Sequence, residues 1–282
     1  MPSQYFISQR EALDLINNNE VSFVDGSWYL PAQNRDAKKE FLSERIPNAV
    51  YFDIDIISDP DTDLPHMLPP TEVFSEVAGV LGLTHDKLII VYDGPGLFSA
   101  PRVWWTLKVM GAQNVKILEG GMDSWKKNDL PIEKGNQKQP KRTIFQIRFA
   151  HNKVSNINAV QNNIKTKEAI VLDARPNARF RGHSPEPRPG MRSGHIPNSI
   201  SLPASELIEN GKLIDRDRLD KKFEELKINS DSEVITSCGS GVTAAILTLA
   251  LNETGRNNTK LYDGSWAEWG LPDGPEISTD DK

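Results

Sequence analysis

Cys238 is the only cysteine in a chain of 282 residues. It opens the stretch Cys238-Gly239-Ser240-Gly241-Val242-Thr243-Ala244, directly after the apolar run Val234-Ile235-Thr236-Ser237. This pattern predicts a strand that ends in a short glycine-bearing loop and passes into a helix. Successive backbone N–H groups, and the positive end of the helix dipole, then face the loop centre. Such surroundings favour the thiolate, the nucleophilic form of cysteine. Gly239 and Gly241 suit a loop whose amides point inward. Val242 and Thr243 complete it, Thr243 either as a hydroxyl in the cradle or as packing at the first helical turn. The bland reading of Cys238 is a small buried residue closing a strand, since free cysteine is among the most buried residue types. An anionic partner would call for planar, permanently charged, bidentate donors, the role of arginine. Arg175, Arg179, Arg181, Arg188 and Arg192 crowd one segment, and spacing alone does not choose among them.

The elements that must position these groups occur twice. Phe23-Val24-Asp25, the turn Arg45 to Val50 and Leu88 to Asp93 read as strand, turn into a strand, and strand. Ile170 to Asp173, His195 to Ile200 and Glu233 to Cys238 repeat them in the same order. The offset is 148 from Asp25 to Asp173, 150 from Pro47 to Pro197, 145 from Asp93 to Cys238 and 144 from Trp125 to Trp269. So steady an offset reads as a duplicated domain. Short apolar strands alternate with helical stretches such as Pro101 to Met110 and Val242 to Leu251, which predicts α/β units built on a mostly parallel central sheet flanked by helices. Glu133 to Lys141, rich in Lys, Gln, Gly and Pro, reads as an exposed linker. The expected organisation is a first domain over 1–138, a linker over 139–153 and a second domain over 154–282. Asp93 stands where the second half has Cys238, so only the second domain carries a nucleophile. Trp104, Trp105, Trp266 and Trp269 read as core or interface aromatics.

Composition narrows the function classes. With 38% hydrophobic and 26% charged residues, the chain has the balance of an ordinary globular protein able to bury sizeable cores. A net charge of −6 argues against nucleic acid as the main partner, which would require a basic face. The longest apolar helix candidate, near Ala244 to Leu251, is too short to span a bilayer, so no membrane partner is expected. Met1 to Phe6 lacks the pattern of a secretory signal, and one cysteine excludes an internal disulfide framework. Both agree with a cytoplasmic protein. One sulfur ligand, and histidines without ligand spacing, argue against a metal site. No motif calls for a cofactor.

Six stretches together carry a resemblance: Asp25-Gly26-Ser27-Trp28-Tyr29-Leu30-Pro31, Phe52-Asp53-Ile54-Asp55, Pro65-His66-Met67-Leu68-Pro69, Ser99-Ala100-Pro101-Arg102-Val103-Trp104-Trp105, Gly194-His195-Ile196-Pro197 and the Cys238 loop. In that order they resemble the two-domain rhodanese superfamily, and within it the 3-mercaptopyruvate sulfurtransferases, over essentially the full length. The resemblance implies two tandem rhodanese-like domains. It implies an enzyme that takes the sulfur of 3-mercaptopyruvate, releases pyruvate, holds the sulfur as a Cys238 persulfide and passes it to cyanide or to a thiol acceptor such as thioredoxin. It assigns Arg179 and Arg188 to the substrate carboxylate and carbonyl oxygen. It also implies a relay of Ser240, His66 and Asp55 that stabilises or protonates the departing enolate. On the residues alone, Ser240 equally suits an N-cap of the following helix, His66 an ordinary loop histidine, and Asp55 the cap of a turn.

Three rivals stand beside this reading. Thiosulfate sulfurtransferases share the persulfide chemistry, yet thiosulfate brings two negative charges and the uncharged Gly239 and Ser240 compensate them poorly. A cysteine phosphatase would need an arginine six residues after the cysteine, where this chain has Ala244. A non-catalytic persulfide carrier would transfer sulfur only with its protein partner.

Overall fold

The computed structural model describes residues 3–18 and 20–280. The chain folds as two compact units. The first comprises residues 1–59, 68–150 and 210–212, and the second 60–67, 151–209 and 213–282.

The first unit holds strands β1 (Phe6–Ile7), β2 (Val21–Asp25), β3 (Val50–Tyr51), β4 (Leu88–Tyr92) and β5 (Asn114–Leu118). They form one sheet in the order β1-β5-β4-β2-β3, with every pair parallel. Helices α1 (Gln9–Asp14), α2 (Ala37–Ser43), α3 (Thr71–Val80), α4 (Ala100–Met110) and α5 (Gly121–Lys127) connect and cover it.

The second unit repeats the design. Strands β6 (Val154–Ser155), β7 (Ala169–Asp173) and β8 (Ile200–Ser201) come first in the chain. A two-stranded sheet of β9 (Ile208–Glu209) and β10 (Lys212–Leu213) follows, then β11 (Glu233–Ser237) and β12 (Thr259–Tyr262). Its main sheet has the order β6-β12-β11-β7-β8, again parallel throughout. Its helices are α6 (Ile157–Thr166), α7 (Asn177–Phe180), α8 (Arg216–Glu225), α9 (Ala244–Glu253) and α10 (Ser265–Trp269). The expected α/β class with helix-flanked parallel sheets is therefore what the chain adopts.

The physical reasons are legible in the strands. A parallel sheet covered on both faces requires continuous apolar strands rather than alternating ones. Accordingly Ile89 to Tyr92 in β4 and Val234 to Ser237 in β11 are buried without a break. The helices that follow these central strands are buried nearly all round: α4 except for Lys108, and α9 from Ala244 to Leu251. A helix apolar on every side belongs in a core. Even the caps repeat, since Ser8 accepts from Glu11 N–H to start α1 and Asn156 from Ala159 N–H to start α6. The four tryptophans Trp104, Trp105, Trp266 and Trp269 are core residues.

The segment from Glu133 onward is mostly exposed but fastened at its start. Fully buried Arg45 donates to Glu133 at 2.6 Å and to the Gly135 carbonyl at 2.6 Å. Further on, Thr143 N–H bonds the Gly79 carbonyl, Arg148 N–H bonds that of Met110, and Phe145 is buried edge-on against Phe74.

Candidate functional site

Strand β11 delivers Cys238 to the carboxyl end of a parallel sheet, where open α/β folds carry their sites. Ser237 is the last paired residue, opposite Asp173, and Cys238 begins the loop. Helix α9 starts at Ala244, two residues later than the apolar pattern predicts, because Val242 and Thr243 complete the loop as a turn. Gly241 has φ +75°, a left-handed conformation that glycine adopts without cost. Val242 is buried and Thr243 half-buried at the N-cap, where its side chain makes no capping bond.

Cys238 is buried, and its backbone is clamped. Cys238 N–H donates to Ser265 Oγ at 3.2 Å. Its carbonyl accepts from Trp266 N–H at 3.0 Å, and the Gly239 carbonyl accepts from Ala267 N–H at 2.8 Å. Ser265 in turn donates to the Tyr262 carbonyl at 2.8 Å. The first turn of α10 thus fixes the start of the loop, a constraint that sequence reading missed.

Ser240 and His66 meet. The His66 Nδ1 to Ser240 Oγ distance is 2.9 Å, and both side chains are buried. Ser240 therefore bonds the histidine rather than capping α9. Although His66 lies in the first half of the sequence, its segment 60–67 folds with the second unit. It holds φ +63°, in the left-handed region that asparagine, aspartate and histidine visit more often than other non-glycine residues. Asp55 lies in the first unit, where it accepts the Trp28 indole N–H at 3.0 and 3.1 Å. The carboxylate that caps its turn is Asp53, which accepts from Asp55 N–H at 3.2 Å and Ile56 N–H at 3.4 Å.

Among the five arginines of the segment, geometry separates structural from presented. Arg175 is buried, bonds Asp173 at 2.7 to 3.1 Å, donates to Glu186 and to the Gly194 carbonyl, and lies over the Trp266 ring at 4.2 Å. Arg192 donates to the Trp269 and Pro275 carbonyls. Arg181 pairs with Asp280 at the surface. Arg179, on α7, sits against the cysteine loop: a Cβ added to Gly239 would come within 3.3 Å of its Nη2. The absence of a side chain at Gly239 is what lets the guanidinium approach. Arg188 is half-buried farther along the same segment. Glu186, which sequence reading passed over, grips Arg179 with both oxygens, through Nε at 3.2 Å and through Nη2.

The first unit carries the same loop with a different occupant. Asp93 follows β4, and its carboxylate accepts the N–H groups of Gly96, Phe98, Ser99 and Ala100 at 2.6 to 2.8 Å. Burial pushes its pKa up, and these four amides work against that shift. Beside it lies a cavity of about 270 Å³ lined by Asp25, Ser27, Tyr29, Arg35, Gly94 and Met122 among others. Burial pushes the Asp25 carboxyl up to about 7.

A family model for the rhodanese-like domain matches residues 8–128 and again 156–271. The 3-mercaptopyruvate sulfurtransferase of Escherichia coli K12 is 41% identical over 271 residues, 96% of each chain. The chain belongs to the 3-mercaptopyruvate sulfurtransferase family of rhodanese-like proteins. Human 3-mercaptopyruvate sulfurtransferase is 36% identical, over 91% of this chain and 87% of that one. Among solved structures, SseA from Escherichia coli superposes with a TM-score of 0.86 at 38% identity, covering 94% of this chain and 99% of that one. Tum1 from Saccharomyces cerevisiae superposes with a TM-score of 0.89 at 33% identity, covering 99% of both. The chain carries the α/β domain twice. Among the described residues no cluster of His, Cys, Asp and Glu is suited to a metal ion, and no helix is long and apolar enough to cross a membrane.

Proposed function

We propose that this sulfurtransferase takes sulfur from 3-mercaptopyruvate on Cys238 and hands it to cyanide or to a thiol such as that of thioredoxin, in the cytoplasm. The Cys238 thiolate attacks the substrate sulfur. The carbon–sulfur bond breaks, its electron pair leaves with the three-carbon fragment as the enolate of pyruvate, and that enolate takes up a proton. Cys238 is left as a persulfide, whose outer sulfur the acceptor removes, regenerating the thiolate.

The observation that carries this reading is the Asp93 loop. In aspartate the carboxylate oxygens lie two bonds beyond Cβ, and in a cysteine persulfide the outer sulfur lies at the same remove. Four amides converge on that point in the first unit, which supports a cradle for an anion of the same reach on Cys238. By position Gly241, Thr243 and Ala244 correspond to three of the four donors, while the fourth, Ala245 N–H, bonds the Val242 carbonyl at 3.3 Å. Gly239 and Val242 complete the loop, the first by admitting Arg179.

Arg179 and Arg188 are assigned to the carboxylate and carbonyl oxygen of the donor, the arginine fork supplying paired donors to each oxygen pair. Ser240, hydrogen-bonded to His66, is assigned to the proton that the enolate takes up. Asp55 joins this group on the strength of the resemblance, and the pH profile of kcat in Asp55→Asn tests it. Domain limits of 1–138 and 154–282, with 139–153 between them, remain our proposal for dissecting the chain.

Thiosulfate is the second donor to weigh, because two Arabidopsis thaliana relatives, each 38% identical, are named for both thiosulfate and 3-mercaptopyruvate. Steady-state kcat/KM for both donors, with cyanide as common acceptor, tests the reading on wild type and Cys238→Ser. A preference for 3-mercaptopyruvate that disappears in the variant is expected. Equal turnover by Cys238→Ser would remove the nucleophile from the reading.

A further inference from the structure

Glu186 is held in the second unit more firmly than any mobile surface carboxylate. Its side chain is only 4% exposed. On one side it accepts from Arg179 Nε and Nη2, and on the other from Arg175 Nη1 at 2.8 Å. Arg175 is itself anchored on Asp173, on the Gly194 carbonyl and over the Trp266 ring. Glu186 therefore stays against Arg179, and Arg179 stays against the cysteine loop beside Gly239.

The charges along this line, Asp173, Arg175, Glu186 and Arg179, cancel, so Glu186 offsets the positive charge that Arg179 brings to the loop. The first unit shows that the pairing belongs to the repeated design. There Arg35 approaches Gly94, an added Cβ lying 3.5 Å from its Nη2, and Glu40 takes its Nε at 2.8 Å and its Nη2 at 2.6 Å. Glu40, however, is 41% exposed, and it faces a loop already filled by Asp93. Only in the second unit does a buried carboxylate guard an arginine next to a nucleophile.

We propose that Glu186 determines donor specificity: it lowers the positive charge that Arg179 presents at the Cys238 loop, so that singly charged sulfur donors are accepted and doubly charged ones are disfavoured. The inference rests on the sulfur-transfer reading and adds to it the residue that selects the donor. A fixed negative charge repels a dianion twice as strongly as a monoanion. At a separation of about 6 Å and an effective dielectric of about 40, between the near-surface value and water, removing it is worth about tenfold per unit of donor charge.

The test measures kcat/KM for 3-mercaptopyruvate and for thiosulfate in wild type, Glu186→Gln and Glu186→Asp, with cyanide as acceptor. Glu186→Gln should raise the thiosulfate-to-mercaptopyruvate ratio about tenfold, mainly through the KM for thiosulfate. Glu186→Asp keeps the charge and should keep the wild-type ratio, even where both rates fall from a looser grip on Arg179. Glu186→Ala serves as the second neutral variant if Glu186→Gln does not fold, and the same rise is expected. A ratio that stays fixed in the neutral variants while both donors weaken together would overturn the proposal and leave the sulfur-transfer reading intact. A wild-type enzyme inactive with 3-mercaptopyruvate would overturn both.

Discussion

The loop after β4 and the loop after β11 are two copies of one device, and they differ in what fills them. Both follow the central strand of a parallel sheet and enter a buried helix. Both are clamped at their first two carbonyls, by Met122 and Asp123 N–H in one unit and by Trp266 and Ala267 N–H in the other. In the first, Asp93 supplies its own carboxylate to four amides and the device is satisfied. In the second, the residue at that place is Cys238, whose thiol has no carboxylate to offer the amides. One copy of the duplicated loop is thus closed by a built-in carboxylate, and the proposed chemistry falls to the other.

Exchanging the occupants tests this comparison most severely. Cys238→Asp should abolish sulfur transfer, with a loss of about a thousandfold or more in kcat/KM. If the loops are equivalent, the same variant should melt at or above the temperature of Cys238→Ala, because the new carboxylate meets amides arranged like those around Asp93. A lower melting temperature for the aspartate variant would break the equivalence. The converse change, Asp93→Ala, strips the acceptor from four buried N–H groups. It should cost roughly 3 kcal/mol or more in chemical denaturation of the first unit while Cys238 keeps its chemistry.

A smaller contrast lies one strand away. Asp25 ends β2 as Asp173 ends β7, and each accepts the N–H two residues on, but that residue is Ser27 in one unit and Arg175 in the other. Burial pushes the Asp25 carboxyl up to about 7, above the 3.8 of an exposed aspartate, and the neighbouring Asp93 adds to the rise. A carboxyl raised on folding contributes stability that is fully present below its unfolded pKa and is lost as pH rises through its folded pKa. The first unit should therefore lose roughly 2 kcal/mol between pH 5 and 8, and Asp25→Asn should flatten that slope. A denaturation midpoint that does not move with pH in wild type would remove Asp25 as the cause. Smallest is the expected effect of Ser240→Ala, a fall of about tenfold in kcat with little change in KM, read from steady-state kinetics. A change in KM alone would make Ser240 a binding group.

Much of this was legible in the residues themselves. The apolar runs, their even offsets and the Asp93 for Cys238 exchange pointed to a duplicated α/β fold, because parallel strands buried on both faces cannot hide their composition. The helix start at Ala244 was misplaced by two residues because an apolar period cannot distinguish a buried turn from the first helical turn. Two features depended on long-range folding and left no local mark: the clamp by Ser265 and the seating of segment 60–67 in the second unit. Glu186 had a signal that went unread, since it lies between two prolines amid the arginines as Glu40 follows Arg35 in the other copy. Charge pairing across seven residues becomes meaningful only when the chain bends back to close it.

The most direct measurement of the central claim is intact-protein mass after a single turnover with 3-mercaptopyruvate and no acceptor. The account predicts a gain of one sulfur atom, mapped to Cys238, with one pyruvate released per chain and the gain erased by cyanide. Pyruvate release without added mass, or sulfur retained by Cys238→Ser, would contradict it.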